Sequence, residues 1–115
     1  MNQEAVDVLV AAALAGRRQV YGRLSTSGGG RCALGFLCEA AGLVHEDGSV
    51  YYKPEILGRY GLSPRLRVNP MGNDVACLTC SGALHEPTLI THLNDDHEWD
   101  LLTIARKLGP SEVPA

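Results

Sequence analysis

The stretch RCALGFLCEAAG, residues 31–42, predicts a helix that ends at Gly42. Its apolar side chains recur at helical spacing along one stripe, which consists of Leu34, Leu37, Cys38 and Ala41. The helical phase makes Leu37 a core residue and leaves Arg31, at the start of the helix, on the surface. A helix with an apolar stripe must be covered by other elements of the chain.

Four more segments have helical signals. The first has apolar residues at i, i+3, i+4, i+7 and i+8 and ends at Gly16; these residues are Val6, Leu9, Val10, Ala13 and Leu14. PEILGRY (54–60) has a proline in its first turn and Gly61 after it, and TLITHL (88–93) predicts a short helix that ends near Asn94. DLLTIARKLG (100–109) has Asp100 as N-cap and two basic residues in its last turn, Arg106 and Lys107.

The remaining ordered segments have strand signals. RRQVYGRL (17–24) predicts a short strand, and LVHEDGSVYY (43–52) predicts a hairpin that turns at Asp47 and Gly48. A second hairpin is predicted over 66–80, where Pro70 limits the strand that contains it to an edge. We therefore expect an α+β fold in which four to five short helices pack on a small antiparallel sheet of hairpins.

Length and composition limit the chain to one small domain. It has 115 residues, of which 45% are hydrophobic and 20% charged, as in an ordinary globular protein. We expect a domain over 1–109 with an insertion at about 69–87, followed by a flexible C-terminal tail at 110–115. No apolar run has the length of a membrane span and the N-terminus lacks a secretion signal, so we expect a cytoplasmic protein whose four cysteines are reduced or bind metal.

The net charge of −3 is unevenly distributed. Residues 1–67 carry 8 basic and 6 acidic side chains, whereas residues 68–115 carry 2 and 7. The N-terminal half includes an all-basic stretch, which consists of Arg17, Arg18, Arg23 and Arg31. Most such stretches are solvated faces, and the alternative is a site for an anion or a partner.

The loop before the helix at 31–42 offers a different chemistry. Gly28, Gly30 and Ala33 match a glycine-rich nucleotide pattern, but the surrounding βαβ unit and the later acidic residue of a dinucleotide fold are missing. Helix amides and Arg31 could also lower the pKa of Cys32 and make it a nucleophile. A thiol enzyme or a small-molecule or nucleotide-binding protein that uses this loop is therefore the alternative function, whereas Cys38 is expected in the core.

The stretch CLTCSGALHEPTLITHLNDDH, residues 77–97, has nearly the ligand order of a zinc finger. The candidate ligands are Cys77, Cys80, His92 and His97, with His85 as a substitute. The interval of 11 residues between Cys80 and His92 is one short of the usual finger, and a turn at Asn94–Asp96 would break the helix that should present His97. A structural zinc ion and a metal-free hairpin with reduced thiols both stay open.

Other chemistry at this end of the chain is less well supported. Asn94, Asp95 and Asp96 lack calcium-loop spacing, so we expect them to end a helix and form a turn that Trp99 closes by packing. No lysine or arginine lies between Arg67 and Arg106, which argues against a finger that contacts duplex phosphates.

Taken in order, the segments VYGRL, RCALGFLC, YYKPEILGRYGL and LNDDHEWDLLTIARKL resemble a family of small proteins of bacteriophages and actinobacterial prophages. The shared features fall at Cys32, Leu34, Gly35, Cys38, Leu93, Asn94, Asp95, Ile104 and Ala105. The family has no established activity, so the resemblance implies no catalytic residue. The chain differs from the family pattern at Ala33, where relatives often have a second cysteine, at His97, where they often have glycine, and in the segment 69–87.

These observations favour a small non-catalytic accessory protein of a phage or prophage that acts by binding a host or phage macromolecule. A protein is the expected partner and duplex nucleic acid is not. A homodimer is compatible with the sequence. No membrane association is expected.

Overall fold

The computed structural model describes residues 1–62 and 89–109, in which the chain forms five helices. They are α1 (Gln3–Leu14), α2 (Ala33–Ala40), α3 (Glu55–Tyr60), α4 (Leu89–Asp95) and α5 (Leu101–Leu108). α2 contacts α1, α3 and α4, and α1 also packs against α3 and α5. The predicted hairpin at 66–80, the insertion at about 69–87 and the tail at 110–115 lie outside the described residues.

α2 is the most deeply buried element of the described chain. All of its residues from Ala33 to Cys38 are buried, and Leu37 has no exposed surface, which confirms its predicted place in the core. Burial extends around the helix from Ala33 to Cys38, so the single predicted stripe was too narrow, although Ala40 at the end of the helix is exposed. A helix that is apolar on every side needs neighbours on every side, and α1, α3 and α4 provide them.

The buried face of α1 differs from the prediction. Ala5, Leu9 and Ala12 are buried, whereas the side chain of Leu14 is 77% exposed. The buried face of α1 therefore lies on Ala5, Leu9 and Ala12, and the predicted inward position of Leu14, at the end of the helix, is wrong.

The α+β class is wrong for the described residues, which contain isolated bridges but no strand and no sheet. The bridge between Gln19 and Arg31 stands where the strand 17–24 was predicted. The carbonyl of Val20 accepts from the Asn94 side chain, and Gly22 has φ +76, which turns the chain. The segment pairs with the backbone of Arg31 through the carbonyl of Arg18 and the N–H of Val20. The Val20 carbonyl, however, bonds to an amide side chain and the chain turns at Gly22, so the pairing does not extend into a ladder.

The hairpin predicted at 43–52 is reduced to its turn. Gly48 has φ +90, and the Asp47 carboxylate accepts hydrogen bonds from the backbone N–H and the hydroxyl of Ser49. Val44 and Val50 form one isolated bridge. Arms this short, without a third strand beside them, do not form an independent sheet.

The helix ends follow the predicted capping chemistry at two places. Gly61 ends α3 in the left-handed conformation, with φ +64, which a glycine adopts without strain. The Asp100 side chain caps α5, because its Oδ1 accepts a hydrogen bond of 2.8 Å from the N–H of Thr103. The helix that follows buries Leu101, Ile104 and Leu108.

Replacement of Asp100 with alanine should lower the free energy of unfolding by about 1 kcal/mol at pH 7, because one amide of the first turn loses its acceptor. The hydrogen bonds from Thr103 lower the pKa of Asp100. The cap therefore stabilises the fold above the ordinary pKa of aspartate, and this is lost as the pH falls through the lowered value. Urea unfolding at neutral and acidic pH measures both effects, and equal stability of the two proteins at pH 7 would contradict the cap.

None of the helices in residues 1–62 and 89–109 has the length and apolar character needed to cross a lipid bilayer.

Candidate functional site

Arg31 is a structural residue, and its predicted place on the surface is wrong. The residue is only 5% exposed, and its guanidinium donates to the backbone carbonyls of Gly30 and Gly48 at 2.9 and 2.7 Å. Its Nε lies 3.4 Å from a carboxylate oxygen of Glu39. The guanidinium thus joins the loop before α2 to the turn at Gly48 and is not presented to an anion or a partner.

Arg17 is also committed to a partner within the chain. Its two terminal nitrogens donate to both carboxylate oxygens of Glu39, at 2.8 and 2.9 Å. Its guanidinium carbon lies 5.0 Å from the centre of the Phe36 ring, within the range of a cation–π contact. The Arg17 hydrogen bonds hold the pKa of Glu39 below its usual value, so the pair is charged at neutral pH.

Arg18 and Arg23 are exposed members of the predicted basic stretch that lie outside the Arg17–Glu39 pair, and Tyr21 lies between them, 42% exposed. Neither arginine has an ion-pair partner within residues 1–62 and 89–109. We call residues 18–23 the arginine loop. It presents two cations and an aromatic ring on one short segment.

Two residues at the end of α4, Asn94 and Asp95, hold the arginine loop by hydrogen bonds. The N–H of Gly22 donates to the Asp95 carboxylate at 2.9 Å, and the carbonyl of Val20 accepts from Asn94 Nδ2 at 3.0 Å. Asn94 Oδ1 also accepts from the Gln19 side chain and from the N–H of Ala33, the first residue of α2. Asn94 has no exposed surface, and it connects the arginine loop, α2 and α4.

The sequence placed Asn94 at a helix end and Asp95 in a turn but did not show these long-range bonds. Asn94 lies within α4, and its partners are 61 to 75 residues away in sequence. One sequence signal could have indicated these bonds: Asn94 directly follows Leu93, a residue of the core. A buried amide must find partners for its donors and its acceptor.

The glycine loop that the nucleotide hypothesis requires is hydrogen-bonded to, and packed against, other parts of the chain. The N–H of Gly30 donates to the Thr26 hydroxyl at 3.1 Å, and the N–H of Arg31 donates to the Arg18 carbonyl. A Cβ added at Gly30 would lie 2.5 Å from the Val20 side chain and 2.8 Å from that of Thr26. The close approach that glycine permits here is used for packing within the chain.

The start of α2 is likewise closed to an anion. Its first orphan amide, that of Ala33, donates to Asn94, and the N–H of Gly35 donates to Cys32 Sγ at 3.2 Å. A phosphate would have to displace these internal acceptors, which removes the basis of a helix N-terminal site.

The Cys32 thiol is buried and protonated rather than activated. Cys32 is 3% exposed, and burial raises its pKa to about 11, although the amide of Gly35 acts in the opposite direction. Cys38, as predicted, lies in the core with no exposed surface, and burial raises its pKa to about 11 as well. The predicted lowering of the pKa of Cys32 is wrong because desolvation of the thiolate outweighs the helix amides.

Cys32 should therefore react with iodoacetamide at pH 8 at least about a hundredfold more slowly in the folded protein than in denaturant, where a thiol has a pKa near 8.5. Peptide mapping after timed quenching follows Cys32 separately from the cysteines at 77 and 80. Equal rates in the folded and denatured protein would show an accessible, reactive thiol and would support the enzyme hypothesis.

His92 and His97 lie together at the end of α4. His92 is buried, and its Nδ1 lies 2.7 Å from the Asp96 carboxylate. The ring centres of His92 and His97 are 4.7 Å apart with the rings nearly perpendicular, and His97 also faces Trp99 at 5.5 Å. The predicted ligands Cys77 and Cys80, and the substitute His85, lie outside the described residues.

α4 ends at Asp95, as the predicted turn at Asn94–Asp96 requires, but the turn brings His97 beside His92. The N–H groups of Asp96 and His97 both donate to the carbonyl of His92, and Glu98 has φ +53, which redirects the chain. His97 is thereby brought back beside His92. Within the described part of the chain, no three acidic, cysteine or histidine side chains come together as a metal site.

Comparisons of the chain with protein-family models, with curated proteins and with solved structures found no match. The function is therefore inferred from the chemistry and the geometry of the chain itself.

Proposed function

We propose that this chain is a non-catalytic binding protein whose arginine loop contacts an acidic surface of a partner protein. The observation that carries the proposal is the loop itself, in which exposed Arg18, Tyr21 and Arg23 are held in place by a buried hydrogen bond to Asn94 and an exposed one to Asp95. Tyrosine and arginine are the side chains that most often dominate binding energy in protein interfaces. A loop that is already ordered also loses less entropy on binding.

The alternative function, a thiol enzyme or a nucleotide-binding protein, loses its main supports in this structure. Cys32 is a buried thiol, Arg31 is bonded to backbone carbonyls, and the glycine loop is packed against Val20 and Thr26. An exposed cationic loop on a chain of net charge −3 instead favours a partner whose acidic groups lie close together.

The resemblance to small phage and prophage proteins makes a bacterial host lysate the first place to look for the partner. Wild-type protein and an Arg18→Glu, Arg23→Glu double variant would be immobilised at equal density, and retained proteins would be quantified by mass spectrometry. Reversal of two charges should weaken the contact by several kcal/mol, and each 1.4 kcal/mol is about tenfold in affinity. We expect the partner to be retained by the wild type and lost from the double variant.

The matched control is a Lys53→Glu, Lys107→Glu double variant, which makes the same charge change at two exposed positions away from the loop. It should retain the partner as the wild type does. If both double variants lose the partner equally, the effect depends on net charge alone, which would contradict a specific role of the loop. If the wild type instead retains nucleic acid and the double variant does not, the partner of the loop is a nucleic acid phosphate backbone and not a protein.

A further inference from the structure

An apolar groove of about 650 Å³ lies between α1 and α5. Val6 and Val10 line it from α1, and Leu102 and Ala105 line it from α5. Leu102 is 37% exposed. A single exposed leucine is ordinary on a protein surface, but a groove with apolar walls on two helices is typical of an interaction site.

The outer side of α1 extends this apolar surface. Leu14 follows Val10 by four residues, so the two side chains are neighbours on the helix. Leu14 is 77% exposed, more than any other large apolar side chain of the described residues. The helix pair therefore presents an apolar ridge beside an apolar groove. We call this surface the α1–α5 face, and it consists of Val6, Val10, Leu14, Leu102 and Ala105.

The α1–α5 face is flanked by one anion and one cation. Asp7 is exposed on α1, where its carboxylate accepts a hydrogen bond of 2.8 Å from the Gln3 side chain, and Arg106 is exposed on α5 and lines the groove. Neither charge has an ion-pair partner in residues 1–62 and 89–109. A strongly acidic or basic partner would satisfy only one of them. A second copy of the same face can satisfy both.

The direction of the two helices determines which charges could meet. α1 and α5 pack together and run antiparallel, because the amino group of Met1, before α1, donates to the carbonyl of Leu108, at the end of α5. A two-fold axis parallel to this pair would place α1 of each copy against α5 of the other, at the same height. The four helices would then form an antiparallel bundle.

In that arrangement Arg106 and the partner's Asp7 are within reach of each other. The rise of a helix separates their heights by roughly 6 Å. Side chains lean towards the N-terminus of their own helix, and in antiparallel helices these directions are opposite. Arg106 therefore leans towards the height of Asp7, and Asp7 leans back towards the height of Arg106. A long arginine side chain can span the distance that remains.

We propose that the α1–α5 face is the interface of a homodimer, in which α1 of each copy packs against α5 of the other. Arg106 pairs with the partner's Asp7, and this pair forms twice because of the two-fold symmetry. Leu14 and Leu102, both exposed in the single chain, are covered in the dimer. The inference uses no residue of the arginine loop, so it does not depend on the proposed function.

The test measures the mass of the full-length, untagged chain by size-exclusion chromatography with light scattering, under reducing conditions and over a range of concentrations. We expect the wild type to be a dimer at high concentration and to dissociate on dilution. Arg106→Asp and Asp7→Arg each bring like charges together, and each should raise the dissociation constant of the dimer about 10-fold to 100-fold. The variant that carries both changes exchanges the charges and should dimerise nearly as the wild type does.

Leu14→Glu tests the apolar part of the interface and should give a monomer with unchanged helical circular dichroism, because Leu14 makes little contact with its own core. Val44→Glu is the matched control: Val44 is 39% exposed outside the α1–α5 face, and this variant should dimerise normally. A wild-type chain that is monomeric at every concentration would overturn the proposal and leave the groove to a different protein or to residues 110–115. A dimer that Leu14→Glu does not weaken, or single charge reversals that the combined variant does not rescue, would also overturn it.

Discussion

Replacement of Asn94 with alanine should destabilise the protein by about 4 kcal/mol, since each buried group left without a partner costs about 1 to 3 kcal/mol. The variant would remove the acceptor of the Ala33 amide and of the Gln19 side chain and the donor to the Val20 carbonyl. Chemical unfolding followed by circular dichroism measures the change.

Asn2→Ala is the matched control for this prediction. Asn2 caps α1 by accepting from the N–H of Ala5, and its amide donates to the Arg59 carbonyl, but the residue is partly exposed and water can replace these bonds. It should cost about 1 kcal/mol, as the loss of an N-cap does. Equal effects of the two variants would contradict the role of Asn94 as a buried connector of α2, α4 and the arginine loop.

Replacement of Gly35 with alanine should lower the free energy of unfolding by about 3 kcal/mol, which is the cost of overpacking a tight core contact. A Cβ at this position of α2 would clash with the backbone carbonyl oxygen of Leu24, and backbone cannot yield as a flexible side chain can. The change would push the chain at residue 24 away from α2. Thermal and chemical unfolding would both register it.

Gly58→Ala is the control, because Gly58 lies in α3 and a Cβ there meets no atom within 4 Å. Alanine favours a helix over glycine by up to about 1 kcal/mol, so this variant should be as stable as the wild type or more so. If Gly35→Ala were also neutral, the close packing of α2 on residue 24 would be contradicted.

The sequence predicted helices well where capping and periodicity act locally. Asp100 caps α5 and Gly61 ends α3 because their signals involve residues within a turn of one another. The prediction that Leu37 is buried is confirmed. Leu37 lies in the middle of an apolar helix, where a side chain is buried on any face. Leu14 was misplaced because the period does not reveal which face of α1 meets α2.

The prediction of a sheet is wrong for a reason that the local sequence does not show. Residues 43–52 contain β-branched and aromatic residues on both sides of a turn, and residues 17–24 contain Val20 and Tyr21, as strands do. A strand also requires neighbours for its backbone groups, and here the Val20 N–H pairs with Arg31 while its carbonyl bonds to the side chain of Asn94, which is 74 residues away. The local sequence did not show this long-range partner.

The candidate site was predicted in part. Arg18 and Arg23 are exposed, whereas Arg31 is buried because its partners, Glu39 and the carbonyl of Gly48, lie 8 and 17 residues further along the chain. The pKa of Cys32 was expected to fall because helix amides were visible in the sequence, while the burial that raises it was not. The sequence predicted the end of α4 near Asn94–Asp96, but the proximity of His97 to His92 also depends on the positive φ of Glu98, which no sequence signal indicated.

Native mass spectrometry of the untagged protein, isolated from a host lysate under mild conditions, tests most directly whether the chain acts by binding a protein. We predict a complex with a second protein that dissociates at high salt and whose released chain carries no organic molecule. The Arg18→Glu, Arg23→Glu variant should be recovered alone. A wild-type chain that is recovered without a protein partner, and with a stoichiometric nucleotide or other metabolite bound, would contradict the account.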